Sequence, residues 1–113
     1  MSMLNIKGKK IIITKGDTLN LTLEITLPDG SPYPVKAEDE IRFALKQKYS
    51  DKDVLIRKII PHDTLVLRLE SAETKQLNAG SQPYCYDIQL TMEDGTVDTI
   101  IDRGELIVTE EID

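Results

Sequence analysis

Apolar residues recur at every second position along most of this chain, which is the pattern of β-strands with one buried and one solvated face. The clearest segment runs from Thr18 to Leu27. Its apolar residues share one parity and its polar residues the other: Leu19, Leu21, Leu23, Ile25 and Leu27 alternate with Asn20, Thr22, Glu24 and Thr26. Because a one-residue slip would expose every apolar side chain, we predict a strongly fixed strand in a central position.

Seven further segments alternate in this way or are short apolar runs between turn residues: Lys10–Thr14, Glu40–Lys48, Val54–Ile60, Thr64–Glu70, Pro83–Glu93, Thr96–Asp102 and Glu105–Thr109. Phe43, the only phenylalanine, is predicted to lie at the centre of the core. Val54–Ile60 is apolar on both parities and carries Lys58 on the inward one. We predict an edge strand there, in which the lysine discourages pairing with other chains.

Turn chemistry separates these strands. Asp94-Gly95 predicts a β-hairpin, and Arg103-Gly104 predicts a bulge or a switch between sheets. A short helical turn is predicted near residues 72–77, with Ser71 as its cap. The outcome is about seven or eight strands with turns every 8–12 residues, which favours a β-sandwich or a small β-barrel.

The polar corner before Tyr84 favours the sandwich. Immunoglobulin-like folds place a tyrosine at the start of the penultimate strand, where its hydroxyl bonds back to the preceding loop. Tyr84 has this position, whereas Cys85 points to the other face and is no relic of an inter-sheet disulfide. We therefore predict an all-β protein, a single immunoglobulin-like antiparallel β-sandwich, with a small β-barrel as the alternative.

Size and charge limit the function. With 113 residues and 40% hydrophobic content, the chain is expected to form a single domain over residues 1–113, with 1–9 as a flexible N-terminal arm. The net charge of −6 opposes contact with nucleic acid or anionic membranes, so neither is predicted as a partner. No apolar run approaches the roughly 20 residues of a membrane span, and no secretion signal is present, so a cytoplasmic location is expected.

Candidate catalytic chemistry is sparse. Cys85 is the only cysteine and His62 the only histidine, so no intrachain disulfide and no thiolate zinc site can form. His62 lies in the turn Pro61–Asp63, where histidines are usually solvated, and a Cys-His pair is not expected. We predict that the chain is not an enzyme and has no catalytic residues and no cofactor.

Acidic loops offer the only candidate metal ligands. Asp51 and Asp53, or the run Glu38–Glu40, could supply oxygen atoms to calcium, but neither has the spacing of a dedicated calcium loop. No metal site is predicted, and the basic residues within 7–10 are interpreted as a solubilising arm. A ligand-binding or adhesion sandwich that holds calcium or a glycan through its acidic loops is the alternative function.

Interaction through strand edges is the remaining possibility. An open edge can add a strand from a neighbouring chain through main-chain hydrogen bonds. Ile11–Ile13 and Val54–Ile60 are the candidates, because each carries apolar residues on both parities. The alternative is that loops or termini of the same chain cover the second face.

Five short motifs resemble a known family: Thr14–Thr18, Ile41–Leu45, Tyr84–Leu90, Asp94–Ile100 and Gly104–Val108. With them the chain resembles the small immunoglobulin-like β-sandwich domains encoded in phages and prophages, such as the N-terminal domain of phage baseplate upper proteins. The resemblance extends over roughly residues 10–109, and its matching positions are core and turn residues.

The resemblance implies a virion structural role in a symmetric tail or baseplate, without a catalytic site. Since no receptor-binding or stalk segment follows the resemblance, a free-standing accessory or assembly protein is expected. Its expected partners are tail or baseplate components or further copies of itself in a homo-oligomer. It is expected in the cytoplasm of the producing cell and, if phage-derived, in the virion.

Overall fold

The fold is built almost entirely from β-structure. A computed structural model describes residues 5–6, 10–80 and 82–110. Those residues form nine strands and one short helix: β1 Asn5–Ile6, β2 Lys10–Thr14, β3 Leu19–Thr22, β4 Ile25–Thr26, β5 Glu40–Lys46, β6 Ile56–Ile60, β7 Val66–Leu69, α1 Ser71–Lys75, β8 Tyr84–Thr91 and β9 Val97–Thr109. The all-β class is confirmed. Apart from residues 5–6, which form β1, the expected N-terminal arm lies outside the described residues.

Two layers of strands face each other. The large sheet has the order β2-β9-β8-β5-β6, and its pairs are antiparallel except for the parallel pair of β2 and β9. Two short pairs, β3 with β7 and β1 with β4, are both antiparallel. Apolar side chains of the large sheet, β4 and β7 belong to one buried cluster, and the half-buried Leu19 and Leu21 of β3 pack against it. The arrangement is sandwich-like, as predicted.

Phe43 lies in that buried cluster. Its side chain is 0% exposed, and its ring centroid is 5.5 Å from that of Tyr86 in a tilted arrangement. Along β8, buried and half-buried residues alternate without interruption from Tyr84 to Thr91. Burying a large apolar side chain stabilises a fold by about 1.5–3 kcal/mol. The predicted central position of Phe43 and the predicted parity of the Tyr84 strand are confirmed.

The prediction of one central strand from Thr18 to Leu27 was wrong in part. The parity is correct, but the strand ends at Thr22 and resumes only at Ile25 with a different partner. Just past the end of β3, the Leu23 amide donates to the carbonyl of Leu65 at 2.8 Å. Leu65 has a positive φ of 54°, which an extended strand cannot continue through. The β3–β7 ladder therefore ends there, and β3 lies in a two-stranded pair.

The helix begins differently from the prediction. Its N-cap is Glu70 and not Ser71, and the Glu70 amide donates to the Glu73 carboxylate at 2.9 Å. The Ser71 hydroxyl instead donates to the carbonyl of Gly16 at 2.6 Å, which ties the helix to the turn after β2. Within the described part of the chain, no helix has the length and apolarity needed to cross a bilayer.

The corner before β8 is held by Tyr84. The amide of Asn78 donates to the Tyr84 hydroxyl oxygen at 2.7 Å, and the ring is buried. This is the bond to the preceding loop that the sequence predicted. Cys85, the next residue, is half-buried on the opposite face, as its parity indicated.

The irregularity predicted at Arg103-Gly104 is a bulge within a continuous strand. Against β8, the register pairs Tyr86 with Gly104, Ile88 with Ile101 and Gln89 with Thr99. Between Tyr86 and Ile88, and again between Ile88 and Gln89, β9 has one residue more than β8. Each extra residue is a bulge, and a bulge bends the strand that contains it. One consequence is that Ile100 and Ile101, although adjacent, are both buried.

Gly104 lies directly beneath the Tyr86 ring. A Cβ atom at this position would overlap three ring atoms of Tyr86. The ring cannot easily move away, because Tyr86 is buried against Phe43. Burial also raises the pKa of the Tyr86 hydroxyl to about 12. Glycine is thus required here by space.

We predict that Gly104→Ala lowers the free energy of unfolding by about 1–3 kcal/mol, because the added methyl group overpacks the core. Gly80→Ala is the matched control, since a Cβ there meets no atom within 4 Å. Urea unfolding followed by circular dichroism measures both. Equal stabilities of the two variants would contradict the close contact between Gly104 and Tyr86.

Candidate functional site

Strand β6 forms one edge of the large sheet. It pairs with β5 on one side, and on its other side no described residue continues the ladder. Ile56 and Ile60 are buried, whereas Ile59 is 59% exposed on the opposite parity and Leu55, just before the strand, is 47% exposed. The predicted edge strand is confirmed, although it begins at Ile56 instead of Val54.

Lys58 lies on the inward parity of β6, between buried isoleucines. Its ammonium group is 2.7 Å from the Glu73 carboxylate on α1. Burial raises the pKa of Glu73, but hydrogen bonds from Lys58 and from the Glu70 amide, together with the charge of Lys58, hold it below its usual value. The Lys58 ammonium group is therefore held in an ion pair with the helix of its own chain.

Strand β2 forms the opposite edge of the large sheet. Within the described residues, it is paired only with β9. Ile11 and Ile13 are buried, while Ile12 is 62% exposed. Both strands singled out for apolar residues on two parities thus lie at sheet edges, and each has one strongly exposed isoleucine.

Cys85 and His62 do not come together. Cys85 pairs with Lys46 at one end of β5, whereas His62 follows the end of β6, where Ile60 pairs with Ile41. Ile41 and Lys46 are five residue steps apart along the extended strand, roughly 17 Å at about 3.4 Å per residue. The register therefore excludes a Cys-His pair of the kind needed to activate a thiol.

Two of the acidic residues considered as calcium ligands, Asp51 and Asp39, accept hydrogen bonds from their own loops. The Asp51 carboxylate accepts the Lys48 amide at 3.1 Å. Asp39 is buried and accepts the Tyr33 hydroxyl at 3.0 Å and the Lys36 amide at 2.9 Å. Across residues 5–6, 10–80 and 82–110, no group of three or more aspartate, glutamate, histidine or cysteine residues is arranged so that it could hold a metal ion.

A basic pocket on the outer face of the large sheet was not predicted. One lining residue is Ala44, which has the parity opposite to the core residues Phe43 and Leu45 and is covered by its neighbours to 7% exposure. Arg42 and Lys46 lie two residues before and after Ala44 and so share its face. Arg57 on β6 and Asp87 on β8 pair with Ala44 from the two sides. The concavity measures about 380 Å³, and the loop between β5 and β6 adds further lining residues, among them Tyr49 and Lys52.

The basic groups of this pocket are only partly compensated. Arg42 donates from Nη2 to the Gln89 side chain at 2.7 Å and lies 3.8 Å from the Asp87 carboxylate. Its Nε is buried without a hydrogen-bond partner among the described groups. Lys46, Lys52 and Arg57 form no ion pair with any described carboxylate. The lining therefore has a strong local excess of positive charge.

Comparison with known proteins assigns no family: neither a protein-family model nor a curated protein sequence matches this chain.

The Lys58–Glu73 pair predicts a specific pH dependence. Glu73 has a lowered pKa in the folded state, so its contribution is present above about pH 4.5 and is lost as the pH falls through the folded pKa. We expect Glu73→Gln to cost about 0.5–1 kcal/mol at pH 7 and progressively less as the pH falls through the folded pKa of Glu73. Glutamine can still accept the Glu70 amide, so the difference isolates the charge.

Thermal unfolding of wild type and variant between pH 7 and pH 3 measures this difference. Glu38→Gln, at an exposed glutamate, is the matched control and is expected to match the wild type throughout. A stability difference for Glu73→Gln that stays constant with pH would contradict an ionic role for the pair.

Proposed function

We propose that this chain is a non-enzymatic structural or assembly module of a phage or prophage virion, of the tail or baseplate kind, which acts through protein–protein contacts. The observation that carries the proposal is the open edge of β6, flanked by the exposed side chains of Leu55 and Ile59. The module is made in the cytoplasm of the producing cell and is then incorporated into the particle.

The β6 edge suits strand addition. The outer side of an edge strand presents unpaired N–H and C=O groups, with which a partner strand can form a ladder. Edges are usually protected by charges; Lys58 is bound to Glu73 of its own chain, which leaves Arg57 as the exposed charge of β6. Ile59 then supplies apolar area beside the main-chain contacts. The partner is β6 of a second copy, in a two-fold arrangement where the same surface is used twice.

The immunoglobulin-like type is part of the same proposal. It is supported by the bond from the Asn78 amide to the hydroxyl of Tyr84, which opens the penultimate strand. The motifs that resemble phage domains, Ile41–Leu45 and Tyr84–Leu90, lie in β5 and β8, the neighbouring inner strands of the large sheet. The resemblance thus concerns residues that form the body of the domain.

The absence of an enzymatic role is supported by the wide separation of Cys85 from His62 along the sheet. The calcium-binding alternative is not favoured, because the Asp51 carboxylate accepts a hydrogen bond from the main chain of its own loop. Surface contact is therefore the function that the described geometry supports best.

We predict that the wild-type chain of 12.8 kDa forms dimers and that Ile59→Lys weakens dimerisation at least about tenfold, because the charge would be buried at the joined edges. Val97→Lys is the matched control: Val97 is 55% exposed but lies on β9, away from this edge. Light scattering over a concentration series measures the oligomeric state of all three chains.

Particles purified from the producing strain complete the test. Mass spectrometry is expected to detect the wild-type and Val97→Lys chains in tail or baseplate fractions, and much less of the Ile59→Lys chain. A monomer at every concentration, or equal behaviour of the two lysine variants, would contradict the role of the β6 edge. Absence of the chain from both particles and assembly intermediates would contradict the virion role.

A further inference from the structure

We propose that the pocket above Ala44 binds a small molecule that carries a diphosphate or two closely spaced phosphate groups. This site lies on the outer face of the large sheet and not on the main-chain edge of β6. The inference therefore does not depend on the proposed assembly role.

The lining of the pocket is positively charged. Four basic side chains and one carboxylate line the pocket, an excess of three positive charges (four minus one) in a chain of net charge −6. The basic residues are Arg42, Lys46, Lys52 and Arg57, and the acid is Asp87. Like charges gathered in a concavity raise the local potential and repel each other, and an anion bound among them removes that repulsion.

The register of the strands brings the lining residues of the pocket together. Alanine at position 44 leaves a hollow where a longer side chain would fill the space between Arg42 and Lys46. Arg57 approaches the same hollow from β6. Guanidinium groups offer paired donors that match phosphate oxygens, and lysines add mobile point charges. The buried Nε of Arg42 is a donor that no described group satisfies.

The volume of the pocket and the charge of its lining together indicate the class of ligand. The volume of about 380 Å³ lies near the lower end of the range of small-molecule sites, about 300–1,000 Å³. A lone carboxylate would neutralise one of the three excess charges, whereas each phosphate group carries about −1.5 to −2. A diphosphate therefore matches the excess within the available space.

A long nucleic acid fits the observations less well than a small molecule. Duplex DNA carries one negative charge per about 1.7 Å, and contact beyond the pocket would meet a protein surface of net negative charge. A small ligand enters the basic pocket without approaching the acidic remainder. Tyr49 and Val54 on the loop that follows β5 supply apolar contact for the part of the ligand outside the phosphates.

Pyrophosphate is the probe for the test, followed by two-dimensional NMR of the labelled full chain. We expect saturable shifts of the amides of Ala44, Arg57 and Asp87, with a dissociation constant below about 1 mM that rises with salt. Arg57→Ala and Lys52→Ala are each expected to weaken binding about fivefold or more. Lys75→Ala, at an exposed lysine of α1 outside the pocket, is the matched control and is expected to bind as the wild type does.

Ala44→Met tests the shape of the pocket without changing its charge. The longer side chain fills the hollow at position 44, so binding is expected to be lost while the dispersed NMR spectrum shows that the fold is kept. If this variant fails to fold, Arg57→Ala still decides the question.

Three outcomes would overturn the proposal. One is the absence of saturable shifts up to about 10 mM pyrophosphate at low salt, conditions that favour ionic contacts. Another is wild-type affinity in a folded Ala44→Met or in Arg57→Ala, which would mean that the anion binds elsewhere. The third is tighter binding of a hexaglutamate peptide than of pyrophosphate at the same residues, which would identify the pocket as a docking site for an acidic protein segment.

Discussion

Apolar contact between the large sheet and the β3–β7 pair is the interaction on which the rest of the structure depends. One cysteine in the chain rules out an intrachain cross-link, so burial has to hold the two layers together. Phe43 and Ile88 on the large sheet and Leu67 and Leu69 on β7 are all 0% exposed. Close packing makes this core intolerant of small changes, and the Tyr86 ring above Gly104 is the clearest case.

The same strands that bury one face leave the other face free for binding. On β5, Phe43 and Leu45 fix the strand in the core, and that constraint places Ala44 on the opposite parity. Neighbouring strands held in register then place Arg57 and Asp87 beside it. The proposed ligand pocket is thus a consequence of the core, and the proposed assembly edge follows from the position of β6 at the end of the sheet.

The sequence pattern predicted the features that depend on residues near each other in the chain. Parity identified the buried side of β8, and the position of Tyr84 at the start of a strand predicted its bond to the preceding loop. The break after Thr22 could not be predicted, because it depends on Leu65, which is distant in sequence and has a positive φ. The helix cap could not be predicted either, because the Ser71 hydroxyl donates to the carbonyl of Gly16, which is distant in sequence, and Glu70 is the N-cap instead.

The basic pocket could not be predicted for a related reason. Its charged residues are scattered between positions 42 and 87, and they meet only because β5 lies between β6 and β8. Equal parity of Arg42 and Lys46 was a usable signal, but strand order decides which residues oppose Ala44. Net charge was misleading, because a chain of −6 can still concentrate positive charge locally.

The most direct measurement of the central claim is the stability of Leu67→Ala, since Leu67 is fully buried and belongs to the smaller layer. If the two layers share one core, the substitution leaves a cavity and lowers the free energy of unfolding by about 2–5 kcal/mol in urea. A loss below about 1 kcal/mol would mean that β7 does not pack against the large sheet, and would contradict the sandwich itself.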